Sequence, residues 1–197
     1  LPTDITLSTT KKPRFAVLNQ WIVVVNSPSR NLAIDPEGTV RVMVPKAPIQ
    51  APTAAVGSST GLTGAYQYRN SYVVLNGDGE LLMESPLGPK SLSLTAANQD
   101  ISLTDIPISL DTITARRIYR TLAGGTAYFH VADLDGNIQT ALLDANTDAT
   151  VTLLPSAPGT LISPPGTLPG IRFKNIIEWK SRLWAVADDP ALVDTVY

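Results

Sequence analysis

Cysteine is absent from the 197 residues, and histidine occurs once, at His130. Without cysteine the chain has no disulfide bonds, thiolate metal ligands or cysteine nucleophiles. A single imidazole cannot build a metal site of several histidines, and a Ser-His-Asp triad would depend entirely on His130. We therefore predict a non-enzymatic protein with no catalytic, cofactor-binding or metal-binding residues.

Charge is also scarce, and long apolar runs are missing. Charged residues make up 16% of the chain and the formal net charge is −2, against about 25% charged residues in a typical soluble domain. No basic block is present that could neutralise phosphates, so no nucleic-acid-binding surface is evident. The longest apolar run, residues 21–25, is far shorter than the roughly 20 residues that cross a bilayer, and we predict no membrane partner.

Short apolar runs or alternating apolar and polar residues fill most of the chain, bounded by its 16 prolines and 13 glycines. This pattern is typical of many short strands and not of helices. We predict an all-β protein, with an immunoglobulin- or fibronectin-like β-sandwich flanked by N- and C-terminal β-hairpin groups. Residues 193–197 have the pattern of an incomplete strand, so we expect the folded unit to continue elsewhere.

Four segments follow from the strand and breaker patterns. Residues 1–47 form an N-terminal strand group, in which Asp35-Pro36-Glu37-Gly38 is a strong turn signal. Residues 48–156 hold about seven strands, the number expected of a small sandwich. Residues 157–170 are a linker rich in proline and glycine, and residues 171–197 are a C-terminal strand group. The two terminal groups pair with each other or with neighbouring chains.

The clearest alternation lies in residues 66–74, which we predict to be one half-buried strand. Tyr66, Tyr68 and Tyr72 share one face and are expected in the core, whereas Arg69 and Ser71 take the other face. Two further strands, at 114–122 and 127–134, follow before the turn at residues 135–137. The next strand is predicted at 138–143.

Residues 133–144 are faintly similar to a calcium-binding loop. Asp133 and Asp144 stand eleven residues apart, but Ile138 occupies the sixth position, where an EF-hand needs glycine. A hairpin closed by Asp135-Gly136 explains the segment more simply. We predict that calcium is not required.

The other chemically suggestive residues also have simpler interpretations. His130 is expected to be a packed or surface strand residue, and the glycine-bearing stretches 57–61 and 124–125 are expected to be ordinary loops, because a phosphate-binding loop needs a following helix or nest. Arg116 and Arg120 share a strand face with Ile118, and Arg117 lies opposite. This cluster is either a solvated or salt-bridged sheet face or, alternatively, an intersubunit contact.

Several motifs resemble fibronectin type III-like modules and bacteriophage proteins. Residues 64–69 leading to 84–86 resemble the end of such a module, where a tyrosine-rich strand runs into a hairpin and an ES-P turn. Residues 115–121 begin an IYR…GG…Y…D pattern that continues through Gly124-Gly125, Tyr128 and Asp144. This pattern resembles one that recurs in modules of phage tail and neck proteins.

The flanking segments are similar to phage tail nozzle and collar proteins. Residues 15–44, followed by Pro45 and Pro48, resemble their opening strand–turn–strand segments. Residues 178–185 and 196–197 resemble their propeller hairpins. The resemblance implies a virion component in the tail, nozzle or head-to-tail connector, with no catalytic residue to transfer.

The preferred function is therefore assembly, as a non-enzymatic structural subunit of a phage virion. Its partners would be further copies of the chain and other virion structural proteins. We expect association through residues 1–47 and 171–197, because they carry all three tryptophans and too few strands to close a core alone. Two alternatives stay open: a carbohydrate-binding or adhesive module, if Trp21, Trp179 and Trp184 are exposed, and an accessory domain cleaved from a larger enzyme.

Overall fold

A computed structural model describes residues 8–18, 20–25, 30–75, 77–153, 173–180 and 182–187. Over these residues the regular structure is fifteen strands and one short helix, which confirms the all-β prediction. The predicted linker at 157–170 and the predicted strand at 193–197 lie outside the described residues. The elements are β1 (Arg14–Leu18), β2 (Trp21–Val25), β3 (Leu32–Ile34), β4 (Val40–Val42), β5 (Thr53–Val56), β6 (Leu62–Tyr66), β7 (Tyr68–Leu75), β8 (Leu81–Glu84), β9 (Leu94–Gln99), β10 (Ile101–Thr104), β11 (Ala115–Thr121), β12 (Tyr128–Asp135), β13 (Leu142–Asp144), α1 (Asp148–Val151), β14 (Phe173–Trp179) and β15 (Arg182–Ala187).

The chain divides into two compact units. The terminal unit combines residues 1–45 with 164–197, and the central unit comprises residues 46–163. The first and last strand groups, separated by more than a hundred residues in sequence, therefore belong to one unit.

The terminal unit contains an antiparallel sheet in the simple order β1-β2-β3-β4 and the hairpin β14–β15. Ala16, Val23 and Val25 on one sheet face form a buried cluster with Ile176 and Ala185 of the hairpin. Burial of apolar side chains is the main favourable term in such packing. The two terminal strand groups thus pack on each other.

The predicted turn at residues 35–38 is present between β3 and β4. Asp35 accepts hydrogen bonds there from the backbone N–H groups of Gly38 and Thr39, at 2.9 and 2.6 Å. Gly38 has a φ of 85°, a conformation that glycine adopts without steric cost. The carboxylate of Asp35 also accepts a hydrogen bond from Arg41 Nε at 3.2 Å, and this ion pair connects the turn to β4.

The other face of this sheet is apolar but only partly covered. Val24, Leu32 and Val42 form a second cluster with the half-buried Ile34 and Val40. The neighbouring side chains on the same face, those of Phe15, Val17 and Ile22, remain exposed, with Phe15 60% and Val17 58% accessible. We call these three residues the open face.

The central unit is built from three antiparallel sheets: β12-β11-β7-β8, β13-β10-β5 and β6-β9. Its core lies between the four-stranded sheet and the two smaller ones, because all three contribute buried side chains to one cluster. The buried members are Leu62, Tyr66, Tyr68, Ala96, Ile101, Leu103, Ile106, Ile118 and Leu134.

The tyrosines of residues 66–74 are buried as predicted, but the single strand is wrong. The strand breaks at Gln67, so that Tyr66 ends β6, which pairs with β9, whereas Tyr68 begins β7, which pairs with β11. Gln67 N–H is satisfied by Thr121 Oγ1 at 3.2 Å at this change of sheet. Ser71, predicted on the face opposite the tyrosines, is fully buried, and its hydroxyl donates to Glu84 Oε1.

The strand predicted at 138–143 is also wrong for most of its length. Only Leu142–Asp144 form a strand, β13. The unpredicted helix α1 follows, with Thr147 as its N-cap accepting from the backbone N–H of Thr150 at 3.3 Å. Capping of this kind satisfies a backbone donor that has no partner within the helix.

Candidate functional site

Polar side chains cover one face of the four-stranded sheet. Arg117 donates from Nε and Nη2 to the two carboxylate oxygens of Asp133, both at 2.8 Å. His130 Nε2 lies 3.1 Å from Asp133 Oδ1. At the other end of the face, Glu84 Oε1 accepts from Tyr119 Oη at 2.6 Å and from Ser71 Oγ at 2.5 Å. We call this set the polar layer.

The electrostatics of the polar layer follow from burial and pairing. Partial burial acts to raise the pKa of Asp133, but hydrogen bonds from Arg117 and His130 outweigh it and hold that pKa well below its usual range. Burial, followed by the neighbouring Glu84 carboxylate, raises the pKa of the Tyr119 hydroxyl far above its ordinary value. Asp133 is therefore an anion and Tyr119 a neutral donor at pH 7.

The polar layer joins the four strands of its sheet through hydrogen bonds. The glutamate sits on β8, the serine on β7, Tyr119 and Arg117 on β11, and the aspartate and histidine on β12. Bidentate charge-assisted pairs such as that of Arg117 are the strong hydrogen bonds of proteins. His130 is thus a packed strand histidine, as predicted.

A second charged network lies on the core-facing side of β11, the strand that also carries Arg117. Arg120 Nη1 contacts Asp144 Oδ2 at 2.7 Å, and its Nη2 contacts Asp148 Oδ1 at 2.9 Å. Tyr68 Oη also donates to Asp144, at 2.8 Å, and the guanidinium lies 4.9 Å from the ring centroid of Tyr66. Both Arg120 and Asp144 are fully buried, so this pair links β11 to β13 and α1 inside the unit.

Arg116 is the second core-facing arginine and is paired differently. It is fully buried, and its Nε donates to the Gly136 carbonyl at 3.3 Å. Its two Nη atoms have no hydrogen-bond partner among the described residues. Burial accordingly lowers the pKa of Arg116.

The predicted face assignment within 115–121 is therefore confirmed, since Arg116 and Arg120 lie opposite Arg117. The interpretation of Arg116 and Arg120 as intersubunit contacts is wrong, because both are fully buried within the central unit. Arg117 fits the salt-bridged alternative.

The residues of the calcium-like segment are not brought together. Asp133 lies in the polar layer with Arg117, whereas Asp144 lies in the core with Arg120. Asp135 and Gly136 close the turn after β12, where Gly136 has a φ of 66°. The described residues contain no group of three His, Cys, Asp or Glu side chains placed to hold a metal ion.

The glycine-bearing stretch 57–61 closes on an internal carboxylate. Asp100 is buried, and its Oδ1 accepts the backbone N–H of Ser59 at 3.1 Å. A Cβ atom at Gly57 would lie 2.0 Å from that oxygen, so the loop needs glycine to approach Asp100. The loop is thus closed by a hydrogen bond to an internal carboxylate.

The three tryptophans all lie in the terminal unit. Trp179 and Trp184 are partly exposed on the β14–β15 hairpin, with ring centroids 5.9 Å apart and planes inclined at 61°. Lys180 Nζ lies 4.4 Å from the centroid of the Trp179 ring. Trp21 is half-buried in β2. The hairpin therefore presents an aromatic and basic surface, but its two rings are not coplanar.

Two loops of the central unit are joined by hydrogen bonds, and we call the joined loops the projection. Ser109 N–H donates to Asn137 Oδ1 at 2.7 Å, and Asn137 Nδ2 donates back to the Ser109 carbonyl at 2.6 Å. Ile106 N–H donates to the Thr140 carbonyl at 3.0 Å. Tyr72 Oη anchors the projection to the sheet by donating to the Ile108 carbonyl at 2.8 Å.

Three aliphatic side chains extend from this projection into solvent. Leu110 is 99% exposed, Ile138 is 90% exposed and Ile108 is 55% exposed. We call these three residues the apolar tip. The sequence patterns do not predict it, because the alternation of residues 106–110 is that of a strand. The one sequence signal of a loop here was Pro107, because proline is not tolerated inside a central strand.

No protein-family model matches the chain, and no curated protein matches it. Among the described helices, none is long and apolar enough to span a membrane.

Proposed function

We propose that this chain is a non-enzymatic structural subunit of a phage virion, located in the tail, nozzle or head-to-tail connector, where it acts through assembly contacts. The observation that carries the proposal is the open face. Apolar clusters lie on both sides of the β1–β4 sheet, and the β14–β15 hairpin packs on only one of them. Exposed contiguous apolar surface of this kind marks protein–protein contacts.

The positions of the resembling motifs support the same proposal. Residues 115–121 form β11 at the centre of the four-stranded sheet, and residues 178–185 lie in the β14–β15 hairpin. The core between the sheets of the central unit agrees with a fibronectin-like sandwich, which we propose as its finer classification. Copies of the chain and other virion structural proteins are the proposed partners.

Native mass spectrometry of the full chain tests the assembly proposal. We expect a homo-oligomer that Val17→Lys converts to monomers, because a lysine on the open face would have to bury its charge. Thr39→Lys adds the same charge at an exposed position of the same unit and should leave the oligomer intact. A wild-type chain that stays monomeric at high concentration contradicts the proposal. Peptides of the chain in purified virions would test its location.

A second candidate function is glycan binding, favoured by the partly exposed rings of Trp179 and Trp184. Aromatic faces stack on sugar rings through apolar contact. If this function holds, sugars should protect tryptophan fluorescence from quenching, and Trp179→Ala should abolish that protection. If no sugar protects the tryptophans and no glycan on an array is bound, glycan binding is contradicted and assembly stays the supported function.

A further inference from the structure

We propose that the core of the central unit binds a small monovalent anion, of the size and charge of chloride, between the guanidinium of Arg116 and the side-chain amide of Asn70. The site lies inside one copy of the chain, so this inference goes beyond the assembly function and does not depend on it. Both side chains are fully buried. Among the described residues, Nη1 and Nη2 of Arg116 and Nδ2 and Oδ1 of Asn70 have no hydrogen-bond partner. Because buried polar atoms are almost always satisfied in native proteins, such a group of atoms points to a ligand.

Strand register makes the two side chains neighbours. In the pairing of β11 with β7, Arg116 stands opposite Tyr72 and Ile118 stands opposite Asn70. Arg116 and Asn70 are therefore diagonal neighbours on one sheet face, the face on which Ile118 belongs to the core. Diagonal neighbours lie about 7–8 Å apart, within the reach of long side chains. The two side chains do not hydrogen-bond to each other, so a small ligand between them would contact both.

The atoms without partners favour a ligand that accepts hydrogen bonds. Both Nη atoms of Arg116 and Nδ2 of Asn70 are donors, and only Asn70 Oδ1 is an acceptor. The third guanidinium nitrogen, Nε, already donates to the Gly136 carbonyl at 3.3 Å. Tyr72, opposite Arg116, directs its hydroxyl proton to the Ile108 carbonyl at 2.8 Å. An anion accepts from several donors at once, as a carboxylate does in a charge-assisted pair.

The charge of Arg116 favours an anion over water. Burial lowers the pKa of Arg116, but an arginine side chain stays protonated in proteins, so the guanidinium is positive at pH 7. Within the described part of the chain no carboxylate forms an ion pair with Arg116. Burying a charge without a counter-charge is costly. Water would supply hydrogen bonds alone, whereas an anion supplies hydrogen bonds and the counter-charge.

Arg120 shows how the same core compensates another buried arginine. It lies on the same face of β11 and contacts Asp144 at 2.7 Å and Asp148 at 2.9 Å. An anion beside Arg116 would take the place that these carboxylates have beside Arg120. One unpaired positive charge matches a monovalent anion better than a phosphate or sulfate. The enclosure of Arg116 and Asn70 favours a small one.

Replacement of gluconate by chloride at constant ionic strength tests the proposal in the full chain. Gluconate is too large for an enclosed site, and constant ionic strength keeps general charge screening the same. Urea unfolding followed by tyrosine fluorescence measures the unfolding equilibrium constant of the central unit. We expect chloride to lower this constant by the factor 1 + [Cl⁻]/Kd, which is about tenfold when the chloride concentration is about nine times Kd.

Two arginine variants separate binding from other effects of the salts. In gluconate, Arg116→Met should be at least as stable as the wild type, because the buried charge is removed, and its response to chloride should be lost. Arg69→Met removes a half-buried arginine of β7 in the same sheet and should keep the response of the wild type. An equal response to chloride in the wild type and Arg116→Met overturns the proposal.

The line width of the chloride NMR resonance gives a second measurement that does not need Arg116→Met. Chloride that exchanges with a protein site relaxes faster, so the wild-type chain should broaden the resonance. Asn70→Leu removes the amide at nearly unchanged side-chain volume and should reduce the broadening several-fold. Broadening that Asn70→Leu leaves unchanged, or no broadening by the wild type, overturns the assignment of the site.

Discussion

The two buried arginines of β11, Arg116 and Arg120, have opposite energetic roles. Arg120 neutralises the buried Asp144, whereas the Nη atoms of Arg116 have no hydrogen-bond partner among the described residues. Removing one partner of a buried pair costs about 3–5 kcal/mol, because the other charge is left uncompensated. Among the described residues the guanidinium of Arg116 hydrogen-bonds only to the Gly136 carbonyl, at 3.3 Å, so removing its buried charge should bring a much smaller loss.

We therefore expect Arg120→Met to lower the free energy of unfolding of the central unit by about 3–5 kcal/mol. Arg116→Met should leave it unchanged or raise it. Urea unfolding followed by tyrosine fluorescence measures both. The comparison is matched, since the two residues are fully buried on the same face of the same strand. Equal destabilisation by the two substitutions would contradict this distinction.

Asp133 predicts a pH dependence of stability with a definite sign. Its pKa in the folded state lies below the unfolded value of about 3.9. The stabilisation that the Asp133 carboxylate gains from pairing with Arg117 is thus fully present above about pH 4 and is lost as pH falls through the folded pKa.

We expect Asp133→Asn to destabilise the central unit at pH 7 and to have a diminishing effect below pH 4. Unfolding in urea at a series of pH values measures the difference between variant and wild type. Asp105→Asn removes an exposed carboxylate and serves as the control. A destabilisation by Asp133→Asn that is constant from pH 7 to pH 2 would refute the ion-pair explanation.

At the scale of elements, the packing of the hairpin on the β1–β4 sheet joins the two ends of the chain. Ile176 is buried in this contact, whereas its neighbour Ile177 is exposed. We expect Ile176→Ala to cost about 2–5 kcal/mol in the terminal unit. Ile177→Ala, the same deletion one residue further on, should cost far less.

Intrinsic fluorescence separates this effect from the central unit. All three tryptophans lie in the terminal unit, and five of the six tyrosines lie in the central unit. Ile176→Ala should shift the tryptophan-monitored unfolding transition and leave the tyrosine-monitored one in place. A parallel shift of both transitions would show that the two units unfold together.

At the scale of the whole molecule, the central unit has its own core and its own charged networks. We expect an excised segment of residues 46–153 to fold as a monomer, because β5 to β13 and α1 enclose one buried cluster. Circular dichroism and sedimentation measure folding and mass. An unfolded segment would show that the central unit depends on the terminal one, while a self-associating segment would contradict docking through the open face.

Much of the strand layout is predictable from local sequence. The strands at 21–25 and 115–121 and the turn at 35–38 follow from apolar runs, alternation and turn residues, which act over a few positions. The opposite placement of Arg116 and Arg117 follows from the two-residue period of a strand. The break at Gln67 cannot be predicted from this period, because the alternation of tyrosines continues across the change of strand partner.

The sites depend on contacts that sequence patterns do not carry. Alternation places Arg120 on a face, but its pairing with Asp144, 24 residues away, depends on a different sheet, that of β13, β10 and β5, packing against the core side of β11. Leu110 likewise lies in a loop whose conformation depends on hydrogen bonds between Ser109 and Asn137, 28 residues apart. Local composition thus specified an all-β chain with few reactive groups, whereas long-range packing chose which polar groups were neutralised inside and which apolar groups stayed outside, because burial depends on neighbours that are distant in sequence.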